Sequence, residues 1–111
     1  ELYLDVKMIR HAISNLISNA FKYSEKKNPE VIIEFKEIVV VILIQDFGLG
    51  IPENEIKNLF QPFYRALNVQ TMQGTGLGLS IAKDYIELNG GSIEVESEIN
   101  VGTQFIITLP I

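Results

Sequence analysis

The chain contains no cysteine, which excludes disulfide bonds and thiolate metal sites. Basic residues are also scarce: 9 Lys and Arg stand against 14 Asp and Glu, so the formal net charge is −5 at pH 7. Nucleic acids and anionic membrane surfaces are bound through clusters of Lys and Arg, so neither is expected as a partner. The absence of cysteine is compatible with a reducing compartment, and a cytoplasmic location is expected.

Long apolar runs are lacking as well, since the longest one, Ile38 to Ile44, is too short to cross a bilayer. No signal peptide is recognisable and the sequence opens ELYLDVK without a methionine, so we expect a piece of a longer protein. Residues 1–111 are expected to form one domain, because 47% hydrophobic and 21% charged residues are typical of a folded globular chain of this length.

Glycine is concentrated in the stretch from Gln73 to Lys83, QGTGLGLSIAK. A residue without a Cβ lets backbone N–H groups approach a ligand, and the helical pattern that follows predicts a helix start with unpaired N–H groups and a favourable dipole. Phosphate is the natural ligand of such groups, although a flexible loop before an amphipathic helix has the same pattern. The candidate phosphate-binding residues are Gly74, Thr75, Gly76, Leu77, Gly78 and Leu79.

A long helix is predicted from Val6 to Tyr23, with Asp5 as its N-cap. Its predicted apolar face comprises Ile9, Ile13, Leu16, Ile17, Ala20 and Phe21. A polar stripe on the opposite face comprises His11, Asn15, Asn19 and Lys22. Asparagine has a lower helix propensity than Glu or Lys, so two of them within a helix favour a functional role, although a solvated face fits the pattern equally well. An amide oxygen can complete the ligand shell of a magnesium ion on phosphates, and a lysine can reach those phosphates. His11 is not expected to be a catalyst.

Two antiparallel strands are predicted at Val31–Phe35 and Ile38–Gln45, and the second is apolar enough to be covered on both faces. Asp46 follows directly, and Gly48 and Gly50 beyond it permit close approach of a flat ligand. A carboxylate at a strand end is often only a turn former. In a purine pocket, however, Asp46 would accept a hydrogen bond from the adenine amine and oppose the guanine carbonyl, so it would select ATP over GTP.

The rest of the chain alternates helix and strand. The predicted segments are a short helix around Glu53–Leu59, a mobile lid at Ala66–Gln73, a helix from Leu77 to an αL-type ending at Asn89–Gly91, and strands at Ser92–Ser97 and Gln104–Leu109. This order of elements predicts an α/β two-layer sandwich, in which helices cover one side of a mixed, mostly antiparallel sheet.

Four short motifs follow one another along nearly the whole chain: Asn15–Tyr23, Asp46–Ile51, Phe60–Phe63 and Gly74–Leu79. They resemble the N box, first glycine box, F box and second glycine box of the catalytic, ATP-binding domain of sensor histidine kinases. That domain has the Bergerat-type fold of the gyrase, Hsp90 and MutL ATPases. Each motif alone is weak, whereas four in order are highly specific. The sequence departs from the family pattern at Phe47, at the single glycine of the Asn100–Thr103 loop and at the short Lys36–Glu37 connection.

The resemblance implies a site for ATP and Mg²⁺. Asn19 would bind the metal, Asn15 and Lys22 would lie at the phosphates, and Arg65 would reach the γ-phosphate when the lid is closed. Asn15, Lys22 and Arg65 are the expected catalytic residues. The other expected nucleotide-binding positions are Tyr23, Asp46 at the adenine with Thr103 close to it, Gly48, Gly50, Ile51 and the second glycine box.

The residue four positions before Asn19 separates two kinds of chemistry. In the ATPases of this fold a glutamate at that position activates water, but the amide of Asn15 cannot accept a proton. We therefore expect phosphoryl transfer to a histidine on dimerisation helices of the same or a partner protomer, followed by relay to a response-regulator receiver domain. His11 is not that histidine, because it belongs to the N-box helix. The alternatives are an anti-sigma-type serine kinase of the same fold and a non-catalytic nucleotide-binding regulatory module.

Overall fold

The computed structural model describes residues 5–25, 27–61 and 78–110. The elements in chain order are α1 (Val6–Tyr23), β1 (Glu30–Phe35), β2 (Val39–Gln45), α2 (Glu53–Ile56), α3 (Gly78–Leu88), β3 (Ser92–Glu98) and β4 (Gly102–Pro110). Among these helices, none has both the length and the apolar character that a bilayer span requires. The predicted order of helices and strands is confirmed over the described residues.

The four strands form one sheet in the order β1-β2-β4-β3. All three pairings between them are antiparallel, so the parallel component of the predicted mixed sheet does not occur within the described ranges. The register places Ile42 opposite Ile107 and Ile44 opposite Phe105, so large apolar side chains of the two central strands meet on one face. The predicted two-layer α/β class is confirmed.

The core lies between this face of the sheet and the two longer helices. Residues of α1, α3 and the strands form one buried cluster: Ala12, Leu16, Ala20, Val40, Ile42, Ile44, Ala82, Ile86, Ile93, Phe105, Ile107 and Leu109. The buried residues of α1 follow one another at steps of four, which is the spacing of a single helical stripe. Two of the three residues in that stripe are alanines, whose small side chains allow neighbouring elements to pack closely against the helix.

Two expectations about burial are wrong. Burial alternates along β2, so that Ile42 and Ile44 are buried while Val41 and Leu43 are only half-buried. The helices that the structure describes pack on one face of the sheet, which is why the apolar strand is not covered on both. Phe21 is 61% exposed, because the buried stripe of α1 runs along another side of the helix.

Strand β1 is an open edge of the described sheet. All six of its residues are exposed, including Ile33 at 54% and Phe35 at 78%. Ile33 shares a face with buried Ile42, its partner on β2, but lies beyond the cover of the helices. Glu30 and Glu34 place charges on this edge, a feature that opposes pairing with another chain. The strand therefore contributes little to the core.

The ends of α1 and α3 are held by specific hydrogen bonds. The carboxylate of Asp5 accepts from the amides of Lys7 at 3.0 Å and Met8 at 3.1 Å, as expected for an N-cap. At the end of α3, the amide of Gly91 donates to the carbonyl of Ile86 at 3.0 Å, and Gly90 has a φ of +80°. This is the predicted left-handed helix ending, and it turns the chain back into β3.

Replacing Asp5 with alanine is expected to lower the free energy of unfolding by about 1 kcal/mol, because two N–H groups at the start of α1 lose their acceptor. Asparagine retains a side-chain oxygen, so Asp5→Asn is expected to stay within a few tenths of a kcal/mol of the wild type. Urea denaturation of the three proteins measures both effects. A loss of the same size in both variants would show that the charge, and not the cap, matters.

Candidate functional site

Asp46 lies at the end of the central strand β2 and is only 7% exposed. Its Oδ1 accepts hydrogen bonds from the amides of Gly48 at 3.1 Å and Thr103 at 3.2 Å. The amide of Asp46 donates in turn to the carbonyl of Thr103 at 2.8 Å. Both side-chain bonds within the described part of the chain go to Oδ1, so Oδ2 is available as an acceptor for a ligand.

Burial raises the pKa of Asp46 above its ordinary value of 3.8, and the hydrogen bonds from Gly48 and Thr103 act in the opposite direction. Desolvation is the larger of the two influences. A buried carboxylate gains stability in its ionised form when another donor arrives, so the site is suited to a ligand that presents an N–H group.

The loop after Asp46 is held against the end of α1. A Cβ on Gly48 would overlap the carbonyl oxygen of Tyr23, so only glycine fits between these two backbones. The amide of Phe47 donates to the hydroxyl of Ser24 at 3.0 Å. Phe47 is one of the departures from the family pattern. The Nζ of Lys27 lies 4.2 Å from the centroid of its ring, within the range of a cation–π contact. These contacts bring the carboxyl end of β2 next to the N-box residues.

The other end of the same loop is held by the turn between β3 and β4. Gly50 has a φ of +75°, and a Cβ there would overlap the carbonyl oxygen of Glu98. The amide of Asn100 donates to the carbonyl of Leu49 at 2.7 Å. Gly102, with a φ of +144°, likewise lies against the Asp46 carbonyl. The first glycine box therefore joins α1, β2 and the β3–β4 turn at one place.

The sequence predicts that the polar stripe of α1 lies on the side opposite the core, and the structure contradicts this prediction for the two asparagines. Asn15 and Asn19 are half-buried beside the buried residue Leu16, while Lys22 is exposed. The ring of His11 packs on Tyr85 of α3, with 5.5 Å between ring centroids. The stripe flanks the core because α3 packs on that side of α1, a contact between helices that no local pattern in α1 records.

Helices α1 and α3 run antiparallel. The amide of Asp5, before α1, donates to the side-chain oxygen of Asn89, after α3, at 2.6 Å, and His11 meets Tyr85 further along both helices. The first turn of α3, which begins at Gly78, therefore lies towards the Asn19 half of α1. A ligand at that half of α1 would also be near the start of α3.

Several candidate residues lie outside the described ranges: Arg65, Gly74, Thr75, Gly76 and Leu77, together with the predicted lid at Ala66–Gln73. Gly78 begins α3, and Leu79 packs against the edge of the core. Phe60, the first residue of the F box, packs edge-on against Phe105 with 6.3 Å between centroids. Phe60 therefore packs against the hydrophobic core of the domain.

Ser97 contacts the site but was not predicted from the sequence as one of its residues. Its hydroxyl accepts from the amide of Ile51 at 2.7 Å and donates to the carbonyl of Gly102 at 3.0 Å, and it lies 2.8 Å from the hydroxyl of Thr103. The alternation of side chains along β3 indicates an inward position for Ser97, because Ser97 lies on the same face of the strand as buried Ile93. A hydroxyl on the inward face of a strand requires a polar partner.

No group of three or more His, Asp or Glu side chains within residues 5–25, 27–61 and 78–110 could hold a metal ion by itself. The half-buried amides of Asn15 and Asn19 can each offer one neutral oxygen. Magnesium is commonly held by one or two protein oxygens together with substrate phosphates and water. The residues therefore fit a metal that arrives with a phosphorylated ligand, and not a resident metal centre.

Residues 4–111 match the family described as histidine kinase-, DNA gyrase B- and HSP90-like ATPases. The chain belongs to this ATPase family. The match includes all four motifs and every element of the fold, so the family resemblance inferred from the sequence is confirmed. The Asp46 site lies in the first glycine box of this family.

Curated relatives and solved structures from this family include several sensor kinases. The chain is 38% identical over 115 residues to the signal transduction histidine-protein kinase ArlS of Staphylococcus epidermidis, covering 97% of this chain and 25% of the relative. ArlS of Staphylococcus aureus strain USA300 is 44% identical over 109 residues, covering 92% and 24%. The structure of the mycobacterial sensor histidine kinase MprB superposes with a TM-score of 0.89 at 30% identity, covering 98% of this chain and 76% of that one. The chain thus spans about a quarter of the length of these ArlS relatives.

Proposed function

We propose that this domain binds Mg-ATP and, in the protein to which it belongs, donates the γ-phosphoryl group to a histidine of a two-component sensor kinase. The observation that carries the proposal is Asp46, a buried carboxylate with Oδ1 fixed by two backbone amides and Oδ2 available. The names of the ArlS and MprB relatives, all histidine kinases, support the same conclusion.

The adenine end of the nucleotide is proposed to bind at Asp46. Its Oδ2 accepts a hydrogen bond from the exocyclic amine of adenine, whereas guanine presents a carbonyl oxygen that repels a carboxylate at that place. Gly48, Gly50 and Ile51 form the wall beside the base, because their backbone lies against Asp46 and the β3–β4 turn with no bulky side chain at the glycines. Tyr23 lies at the junction of this wall with α1.

The phosphate end is proposed to extend towards the facing parts of α1 and α3. Asn15 and Asn19 offer half-buried amides, Lys22 offers an exposed ammonium group, and α3 begins nearby at Gly78. A helix start supplies N–H donors to a phosphate. We propose that Arg65 and residues 74–79 complete this end, with Arg65 at the γ-phosphate, and that the metal is Mg²⁺ bound by Asn19 and phosphate oxygens.

Phosphoryl transfer depends mainly on positioning and charge neutralisation, which these residues supply. Asn15 cannot act as a general base for water, so the proposed acceptor is an external histidine and not water. His11 is not the acceptor, because its ring packs on Tyr85 at the far half of α1 from Asn19. The proposed partners are phosphoacceptor helices of the same or a partner protomer and the receiver domain of a response regulator. The proposed use of ATP places the domain in the cytoplasm.

Calorimetric titration of the domain with ATP and GTP, each with and without Mg²⁺, tests the nucleotide proposal. ATP should bind more tightly than GTP, and Mg²⁺ should strengthen ATP binding. Equal affinity for both nucleotides would remove Asp46 from base recognition. Phosphorylation of the longer parent tests the acceptor: an acid-labile phosphate indicates histidine, an acid-stable one indicates the serine-kinase alternative, and no incorporation indicates a docking module.

Replacing Asn19 with alanine is expected to weaken ATP binding about tenfold or more in the presence of Mg²⁺, and much less in EDTA, because the amide oxygen is proposed to touch the metal. Ser18→Ala, an exposed neighbour on α1, serves as the matched control and should leave both affinities unchanged. An equal loss in both buffers for Asn19→Ala would contradict the metal role.

A further inference from the structure

The outer face of the sheet, which points away from α1 and α3, carries an apolar strip along its two central strands. On β2 and β4 the residues of the strip alternate with buried ones and are half-buried: Val39, Val41, Leu43 and Ile106. Ile32 of β1, opposite Leu43, adds a side chain that is 49% exposed. An antiparallel sheet with one side in water normally has polar residues on that side. A contiguous apolar patch there instead indicates a binding surface.

Glutamates lie along both sides of the apolar strip. Glu30 and Glu34 lie on the outer face of β1, and β3 places three more on the other side of the strip: Glu94, Glu96 and Glu98. In the register, Glu34 is opposite Val41, and Glu94 is opposite Ile106. A charged rim around an apolar centre is typical of a protein interface, and the sign of the rim selects a partner with basic side chains at the matching positions.

The β3 side is the more strongly acidic of the two. On the β1 side, Glu30 forms an exposed ion pair with Lys27, with 3.8 Å between nitrogen and oxygen. Next to β3, a recess of about 250 Å³ lies at the end of the strip. Four of its lining residues are acids and amides of the outer face: Glu96, Glu98, Gln45 and Gln104. Pockets for small molecules measure roughly 300–1,000 Å³, so this recess matches a single side chain, and its acceptor oxygens suit Lys or Arg.

We propose that the apolar strip docks one amphipathic α-helix of a protein partner, whose apolar stripe is flanked on both sides by Lys and Arg. Four residue steps of about 3.4 Å separate Val39 from Leu43, so the strip is about 14 Å long, the length of about nine helical residues. Strands β1 and β3 lie three strand spacings apart, again about 14 Å. A helix about 10–12 Å wide fits between their glutamates, and basic residues on its two flanks reach both rows.

The acidic rim disfavours two other occupants. Two copies of this face would place glutamates against glutamates, and an anionic bilayer would be repelled. The net charge of −5 acts in the same direction. The inference goes beyond the proposed function and does not depend on it, because the strip lies on the face opposite α1 and α3.

Fluorescence polarisation with three labelled, synthetic peptides of about 18 residues tests the proposal. The first is a stapled helix with a leucine stripe flanked by Arg, the second has Glu in place of Arg, and the third has the residues of the first in an order without a stripe. The first should bind the domain about tenfold or more tightly than the other two. Absence of binding by the first peptide would overturn the proposal. Equal binding of the first and third would also overturn it, because it would show only general attraction between a basic peptide and an acidic protein.

Reversing the charge on β3 locates the binding surface. The double variant Glu94→Lys, Glu96→Lys should weaken binding of the first peptide about tenfold and strengthen binding of the second. Asp84→Lys, Glu87→Lys is the matched control, because it makes the same change of charge at exposed positions of α3 on the other side of the sheet. Equal losses in the two double variants would contradict docking on the outer face.

The apolar strip is tested by Ile106→Thr, which keeps a β-branched residue and removes apolar surface. Binding of the first peptide should weaken about five- to tenfold, and an unchanged affinity would exclude the strip from the contact. Analytical ultracentrifugation of the domain alone tests for a second copy. A dimer that Ile106→Thr dissociates would assign the strip to self-association and overturn the proposed helix partner. Failure of the domain to bind ATP would bear on the proposed function alone.

Discussion

Asp46→Asn is expected to weaken ATP binding by about 1.5–3 kcal/mol, which is about tenfold to a hundredfold in Kd. The amide can still accept the hydrogen bonds of Gly48 and Thr103 through Oδ1, but its second group is an NH₂ donor that opposes the adenine amine. Calorimetric titration with ATP measures the loss. An unchanged affinity would show that Asp46 lies outside the nucleotide site.

The same substitution is expected to raise the free energy of unfolding of the nucleotide-free domain at neutral pH. Burial raises the pKa of Asp46 above 3.8 in the folded state, so the folded protein holds this proton to higher pH than the unfolded chain. The stability contributed by the protonated form is fully present below the unfolded pKa and is lost as the pH rises through the raised folded pKa. Asparagine carries no charge and avoids this loss.

Two pH profiles measure the consequences of the raised pKa of Asp46. The carboxyl of Asp46 should make the wild type more stable at acidic pH than at neutral pH, and Asp46→Asn should lack this gain. Urea denaturation of both proteins at both pH values measures the difference. ATP affinity should fall as the pH decreases through the raised pKa of Asp46, because the protonated carboxyl is a poorer acceptor for the amine. Parallel stability profiles for the two proteins would contradict the assignment of the raised pKa to Asp46.

Gly50→Ala is expected to lower the free energy of unfolding by more than about 3 kcal/mol. A φ of +75° costs an L-residue about 1–2 kcal/mol, and the added Cβ overlaps the carbonyl oxygen of Glu98. The backbone must shift to relieve this overlap. The shift would stretch the bonds from Ile51 to Ser97 and from Asn100 to Leu49, each worth about 1 kcal/mol.

Gly90→Ala is the matched control. Its φ of +80° is nearly the same, but the nearest atom to an added Cβ is the Pro110 Cγ at 3.5 Å, an ordinary contact. This variant should therefore lose only the conformational cost, about 1–2 kcal/mol. Urea denaturation of the two variants separates the cost of the dihedral angle from the cost of the overlap. Equal losses would show that the first glycine box does not lie tightly against the β3–β4 turn.

Local patterns in the sequence were sufficient for the elements of the fold. The bounds of α1, its Asp5 cap and the ending of α3 were predicted correctly, because each depends on residues within a turn or two along the chain. The position of Asp46 at the end of β2 was predicted for the same reason. Burial of Phe21 and of both faces of β2 was predicted wrongly, since burial depends on which neighbours pack against an element.

The amino-acid sequence by itself determined the family, the order of helices and strands, and the acid at the end of the central strand. Only the tertiary structure decided that Asn15 and Asn19 flank the core beside α3, and that Ser97 joins Ile51 to Thr103. The deciding contacts link residues 46 positions apart for Ile51 and Ser97, and 57 apart for Asp46 and Thr103. Periodicity records the spacing within one element, whereas such contacts exist only after separate elements pack together.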